Sequence, residues 1–534
     1  MSTGNSPATS ASPASSSALR AQPTRRRFLT STATAAAITA VGIVAGQAGS
    51  RPTANAQSSD GPLGSSGTAP APNDPAIANL PTVTEDHQVI VIGSGFGGGV
   101  AALRLAGAGV EVTVLERGRR WETGSNATTF PSPTNPDKRM LWHRSAPQLF
   151  GRNIAVDPYV GIIEAVSSPT MTALCPTGVG GGSLVYQGMS LQSSKEVFNA
   201  TFPAGLDWDH MDRVHYPRVA DTLGLEVCPD DILNHLNYKV ARVFAQRCRD
   251  AGLTPEKIPM PIDWDYARRE LRGEMTPSYT GGSGAMGVNN GGKHSVDVTY
   301  IAQAEATGNA TVRTHTEVTD VQRQDDGTWL VHALHTDDAG RPQRRLALTA
   351  GSVVMAAGSV NTTRLLLRAK HTGTVPGLPD TLGPGWGSNG DRIYVWSDPT
   401  ANFGKVQGRP VVYGTKQWDD PDHAHTIIQA SIPGFGIDAM STMMVGFGVS
   451  STSGSFRWNS STTTADLHWP AGRDRELIEN HIRPTADKII SAGGVPGMLT
   501  DTNDMVNSTW HALGGACMGT VCDLEGRVTG QEGL

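Results

Sequence analysis

The chain has 534 residues, a formal net charge of -6 and only 17% charged residues, so it carries no basic footprint for nucleic acid. Its length allows about two to four domains and a large core. The five cysteines, Cys175, Cys228, Cys248, Cys517 and Cys522, are odd in number and widely scattered, which argues against a disulfide framework. There is no H-E-x-x-H, and His423-Ala424-His425 lacks further spaced ligands, so no metal site is expected.

The N-terminus reads as a targeting segment. Thr24-Arg25-Arg26-Arg27-Phe28-Leu29 fits the twin-arginine pattern, Phe28 to Ala48 is mildly apolar, and Ala54-Asn55-Ala56 offers a small-x-small cleavage site. A membrane anchor would need about 20 strongly apolar residues, which this stretch does not supply. Residues 1–56 are therefore expected to be a signal peptide that uses the Tat translocon, leaving the protein secreted, and 57–84 a disordered Ser/Gly/Pro/Ala-rich linker.

Val89-Ile90-Val91-Ile92 fits a buried parallel strand, and Gly93-Ser94-Gly95-Phe96-Gly97-Gly98 then supplies a G-x-G-x-x-G turn into a helix over Val100–Ala108. Glycines at that point let the backbone approach a pyrophosphate, and the helix N-terminus directs its free N–H groups at the phosphates. Glu111–Leu115 reads as a second strand, ending at Glu116. A carboxylate about 20 residues after the first glycine accepts from a ribose 2′-OH and repels a 2′-phosphate, which favours FAD or NAD over NADP.

The long Pro- and Trp-containing connection Gly118–Asp157 is expected to be loop that covers something. A second glycine cluster, Gly178-Val179-Gly180-Gly181-Gly182-Ser183, can lie flat against a ligand. Residues 200–275 read as mostly helical, with Asn234–Gly252 amphipathic. Ala310–Gln322 reads as a strand element leading to the turn Asp325-Asp326-Gly327, and Leu346–Met355 as another strand. That strand ends at Ala356-Ala357-Gly358-Ser359, with a helix over Asn361–Arg368. Ile393–Trp469 alternates as antiparallel strands, and Asp474–Ala492 is helical with an interruption at Pro484.

These motifs in this order, together with Asn289-Asn290-Gly291-Gly292-Lys293, Gly385-Trp386-Gly387-Ser388-Asn389-Gly390, Gly436-Ile437-Asp438 and His511-Ala512-Leu513-Gly514-Gly515, resemble the glucose-methanol-choline (GMC) oxidoreductases. Among them the chain is most similar to the actinobacterial cholesterol oxidases with non-covalent FAD. The resemblance implies an α/β fold, α+β overall. Its Rossmann-type FAD domain would be assembled from 85–190, 291–390 and 496–534, with a substrate domain from a helical part, 191–290, and an antiparallel sheet and helix, 391–495. Gly93, Gly95, Phe96, Gly97, Gly98, Glu116, Gly178, Gly180, Gly181, Gly182, Ser183, Val318, Ala357 and Gly358 would then bind FAD.

The implied chemistry is oxidation of the 3β-hydroxyl of a sterol to the 3-ketone, with O2 as electron acceptor reduced to H2O2, and transient membrane-surface contact to extract the sterol. His511 matches the family's active-site histidine. Gln429 falls where the family has a catalytic glutamate, and an amide cannot carry the proton that Δ5 to Δ4 isomerisation moves. Tyr186 and Gln187 replace an asparagine and a glycine. Family members continue past Leu534 into a strand, an asparagine-proline pair that partners the histidine, and a helix, so an exposed sheet edge is expected here. The alternatives are oxidation of another bulky alcohol, or a non-catalytic flavin or sterol binder.

Overall fold

The computed structural model describes residues 74–534 apart from 133–134, 136, 146–147, 150–151, 154–156, 410, 434–438, 451–453, 495–496 and 503–506. Residues 1–56, expected to be a signal peptide, residues 57–73 of the expected linker, and Gly436-Ile437-Asp438 lie outside the described residues.

Strand β1 (Thr82–Ile92) is buried throughout its last four residues, as its run of β-branched side chains requires. It starts inside the stretch read as linker, because Thr82–Asp86 pair with Arg345–Thr349 further along the chain. Helix α1 (Phe96–Gly107) follows, and its inward face is Gly98, Gly99, Ala102 and Ala106, small residues that let it sit close to the sheet. β2 (Val112–Leu115) then pairs parallel to β1. The connection after it is loop-rich and does cover something: Trp121, Phe130, Met140 and Leu141 form a core cluster with Leu184 behind the second glycine cluster. The hairpin β3 (Ile163–Ser167) and β4 (Thr172–Pro176) leads into that cluster.

The helical region holds α2 (Lys239–Asp250) and is followed by the short β5 (Pro255–Lys257). Where one strand element was read from Ala310 to Gln322 there are two, β6 (Ala310–Arg313) and β7 (Thr316–Arg323), separated at His315, whose φ is +54°. β8 (Trp329–Thr336) and β9 (Pro342–Met355) complete a sheet of order β6-β2-β1-β9-β8-β7. β6, β2, β1 and β9 are mutually parallel, whereas β9, β8 and β7 form an antiparallel meander. The meander returns over the C-terminal end of β2, where the Thr316 N–H donates to the Glu116 carbonyl at 2.9 Å. One side of the sheet is closed by α1 with Val296, Tyr300 and Ile301; on the other, Ile90, Val318 and Trp329 of the sheet pack in one cluster with Leu366 and Leu367 of α3 (Gly358–Thr372). The β8 register on β9 stops at Ala350, and beyond it the Val353 N–H donates to the Gly533 carbonyl at 2.8 Å, so residues near Gly533 lie against β9 where its pairing with β8 has ended.

The second half begins with β10 (Pro384–Trp386), β11 (Arg392–Ser397), β12 (Tyr413–Gln417), β13 (His425–Ala430) and β14 (Ser441–Gly448). It continues with β15 (Gly454–Asn459), β16 (Thr464–His468), α4 (Arg483–Ser491), β17 (Met498–Asp501) and β18 (Ser508–Thr509). An antiparallel sheet of order β17-β11-β14-β13-β12-β5 is the expected second sheet. One of its faces packs Tyr394, Trp396, Ile427 and Met444 against α2 and α4; the other carries Ile393, Val395, Ile428, Met443 and Val445. Pro484 does not stop the helical run. A wide turn at Ile478–Ile482 runs directly into α4 and accommodates Pro484, which cannot donate a helical hydrogen bond.

Candidate active site

The C-terminal ends of β1 and β9 point their connecting loops into one cleft of about 380 Å³. Gly93, Gly95, Phe96, Gly97, Glu116, Gly181, Gly182, Val318, Ala357 and Gly358 all line it. Glycine is obligatory at Gly93, whose φ is +101° and whose added Cβ would stand 2.4 Å from the Ala356 carbonyl oxygen. The helices that start here, α1 after Gly95 and α3 after Ala357, have no side-chain cap at their N-termini. Two sets of free N–H groups and two positive dipole ends therefore converge on the cleft, as a pyrophosphate requires.

Glu116 is 6% exposed, and its carboxylate accepts from the Ser94 N–H (3.2 Å) and hydroxyl (2.5 Å), the Gly118 N–H (2.9 Å) and the Gly178 N–H (3.2 Å). These bonds fix its place at the end of β2 without closing it off from the cleft. The other four predicted contacts are supports that do not line the cleft. An added Cβ at Gly98 would stand 1.9 Å from the Gly93 carbonyl oxygen. Gly178 packs on Trp121 and donates to Glu116, and Gly180 donates to the Ser94 carbonyl at 3.2 Å. Ser183 donates to the Gly180 carbonyl at 2.7 Å and accepts from the Val296 N–H at 2.8 Å.

An ionic lining was not foreseen. Arg117, Arg144, Arg364 and Arg368 share the cleft with Glu164 and Glu317. Glu164 binds Arg117 at 2.6 Å and lies 3.6 Å from Arg364, Asn361 donates to it at 3.1 Å, and Arg144 pairs with Glu317. Arg117, next to Glu116, was the one signal of it in the sequence. Cys175 also lines the cleft, and burial pushes its thiol up to about 12, so it stays protonated.

His511 lies between Trp510 and Ala512, which both line the cleft. Its Nδ1 is 2.6 Å from Oδ1 of Asp391, a fully buried carboxylate that also accepts from the Thr509 hydroxyl at 2.6 Å. Thr509 in turn accepts from the His511 N–H at 3.1 Å. Burial disfavours charge on the imidazole, but the adjacent Asp391 carboxylate and its hydrogen bond outweigh this and hold His511 above its ordinary value. The other ring nitrogen, Nε2, makes no hydrogen bond among the described residues. Phe447 packs against the ring, with centroids 5.9 Å apart. Sequence reasoning missed Asp391, although it directly follows the Gly385–Gly390 motif.

Gln429 is corrected by the sheet register. On β13 it shares a face with Ile427 and pairs with Met444, both packed against α2 and α4, whereas Phe447, which touches His511, pairs with Thr426 on the opposite face. Gln429 is fully buried, its amide nitrogen donates to the Ser431 hydroxyl at 3.0 Å, and its Oε1 has no partner among the described residues. It therefore faces away from the histidine.

Residues 158–371 match the family model of GMC oxidoreductases, and 91–156 that of NAD(P)-binding Rossmann-like domains. The chain is 29% identical over 329 residues to a cholesterol oxidase of Mycobacterium tuberculosis (strain ATCC 25618 / H37Rv), covering 58% of this chain and 52% of that protein. It is 28% identical over 382 residues to a cholesterol oxidase of Acinetobacter baumannii, covering 67% and 63%. The chain thus spans about half the length of the first of these relatives. Among solved structures it is similar to pyridoxine 4-oxidase from "Mesorbium loti", with TM-score 0.54 and 13% identity over 83% of this chain and 92% of that one, a likeness of fold.

Proposed function

We propose, from the chain's membership of the GMC oxidoreductase family and its FAD cofactor, that it oxidises the 3β-hydroxyl of a sterol to the ketone with O2 as acceptor. The observation that carries this reading is the Asp391–His511 pair, whose histidine lies between the cleft-lining Trp510 and Ala512.

The residues fit FAD. The uncapped N-termini of α1 and α3 would hold the diphosphate, Glu116 the ribose and Val318 the adenine end. When bound, FAD supplies the hydride acceptor. The chain's own residues supply the rest. Nε2 of His511 holds the substrate hydroxyl and accepts its proton as the carbinol carbon is oxidised. Asp391 fixes the ring through Nδ1 and stabilises the imidazolium that results. Phe447, with Ile428, Val445 and the loop residues Met189 and Leu191, forms an apolar cluster beside the histidine that suits a hydrocarbon ring system.

The face of β13 that looks toward Phe447 carries Thr426, Ile428 and Ala430, none of which is a base. This supports oxidation without rapid Δ5 to Δ4 isomerisation. Export by the twin-arginine route remains part of the proposal, supported by Arg25-Arg26-Arg27-Phe28-Leu29, and its check is fractionation of cells expressing the chain with and without a two-lysine replacement of Arg26 and Arg27. Among the described residues, no helix is long and apolar enough to cross a membrane.

The deciding experiment is anaerobic addition of cholesterol to the flavin-loaded chain. Bleaching of the absorbance near roughly 450 nm expected of oxidised flavin, followed by peroxide release on admitting air, supports the reading. Persistence of the band with cholesterol, and bleaching with another bulky alcohol, replaces the substrate.

A further inference from the structure

The short turn Gly181–Leu184, whose first two residues line the cleft, runs into Val185-Tyr186-Gln187. Lys293 reaches this stretch from behind. Its Nζ donates to the Leu184 carbonyl at 3.1 Å and to the Tyr186 carbonyl, and lies 4.6 Å from the centroid of the Tyr186 ring. That ring meets Phe96 edge-on, with centroids 5.4 Å apart and planes at 89°, and Phe96 lines the cleft. One buried ammonium, 6% exposed, thus ties the second glycine turn to the first.

The charged and titratable groups around Lys293 are few. Asp297 acts on its charge, but the two form no ion pair; Asp297 instead accepts from the Ser295 hydroxyl at 2.5 Å, and burial holds its carboxyl above the usual range. Burial also keeps the Tyr186 phenol protonated, well above its ordinary value. The neighbouring His294 turns its Nδ1 toward the Leu223 carbonyl at 3.0 Å.

We propose that Lys293 is a positioning residue for the cofactor: its ammonium fixes the Leu184 and Tyr186 carbonyls, and through them the Gly181–Gly182 turn and Phe96, so that FAD affinity depends on its charge. This rests on the assignment of FAD to the cleft. Burial pushes the Lys293 ammonium down to about 7, so its charge is present below that pH and lost above it. Affinity for FAD therefore falls as pH rises through this range.

The test is titration of the FAD-stripped full chain with FAD, followed by flavin fluorescence, from roughly pH 6 to 9. The wild-type Kd is expected to rise about tenfold, with its midpoint near pH 7. Lys293→Met should bind weakly at every pH, and Lys293→Arg, which cannot lose its charge here, should bind tightly with no inflection. The proposal is overturned if Lys293→Met binds like the wild type, if Lys293→Arg keeps the inflection, or if the wild-type profile is flat. Failure of the wild-type chain to bind FAD at any pH would overturn the cofactor assignment and this proposal together.

Discussion

Asp391 and His511, separated by 120 positions in the chain, form a 2.6 Å hydrogen bond with the carboxylate fully buried and the imidazole 32% exposed. The antiparallel sheet delivers the acid, since Asp391 immediately precedes β11, and the chain after β18 delivers the base. Replacing His511 with Ala should lower kcat about 10²- to 10⁴-fold, the usual range for a lost proton-transfer group, while FAD absorbance is retained.

Asp391→Asn should act through the ring rather than on the substrate. Loss of a hydrogen bond to a charged group, about 1.5–3 kcal/mol, lowers kcat roughly 10- to 150-fold. The carboxylate raises the His511 value, so the acid limb of the kcat profile should move to lower pH in Asp391→Asn. A profile whose limb stays in place would mean that His511 is not the group being titrated.

Substitution at Gln429 separates the register argument from the motif match. A carboxylate placed there by Gln429→Glu would lie among Ile427, Met444 and Trp396, with an expected loss of about 3–5 kcal/mol for an uncompensated buried charge. It should confer no isomerisation. Ala430→Glu, on the Phe447 face, is the change expected to introduce it, and the proportion of 4-ene-3-ketone in the product tells the two apart.

Glu116→Gln presents an NH2 group to donors, since the carboxylate now accepts from Ser94, Gly118 and Gly178. Each unsatisfied buried donor costs about 1–3 kcal/mol. The variant should purify with less FAD bound and melt at a lower temperature, which absorbance ratios and thermal unfolding measure.

The glycines of the first turn differ in what they tolerate. Gly98→Ala drives a methyl into the Gly93 carbonyl and should destabilise by more than the usual ~3 kcal/mol upper range. Gly107→Ala, on the same helix with nothing within 4 Å, should instead stabilise by about 0.4–1 kcal/mol. Paired thermal melts check both.

The first β-α-β unit was legible because its signals are local: an apolar run, glycines and an acid at fixed spacing all fall within one short segment. The antiparallel sheet was legible from alternation, but which face each residue takes was not. Side chains alternate with a period of two, so a one-residue slip sends Gln429 to the helix side. Asp391 and the Glu164–Arg117–Arg364 cluster escaped for another reason. Their partners lie far away in sequence, and no motif encodes a pair that only the fold brings together.

The parallel pairing of β1 with β9 has a consequence for synthesis on the ribosome. Ile92 finds its partner Met355 only after roughly 260 further residues have been made, which at about 5–20 residues per second takes on the order of 13–50 s. Throughout that interval Val89-Ile90-Val91-Ile92 can pair only with β2, leaving an apolar strand edge open to other nascent chains. A chaperone that shields this edge should raise the soluble yield more than one that acts after release.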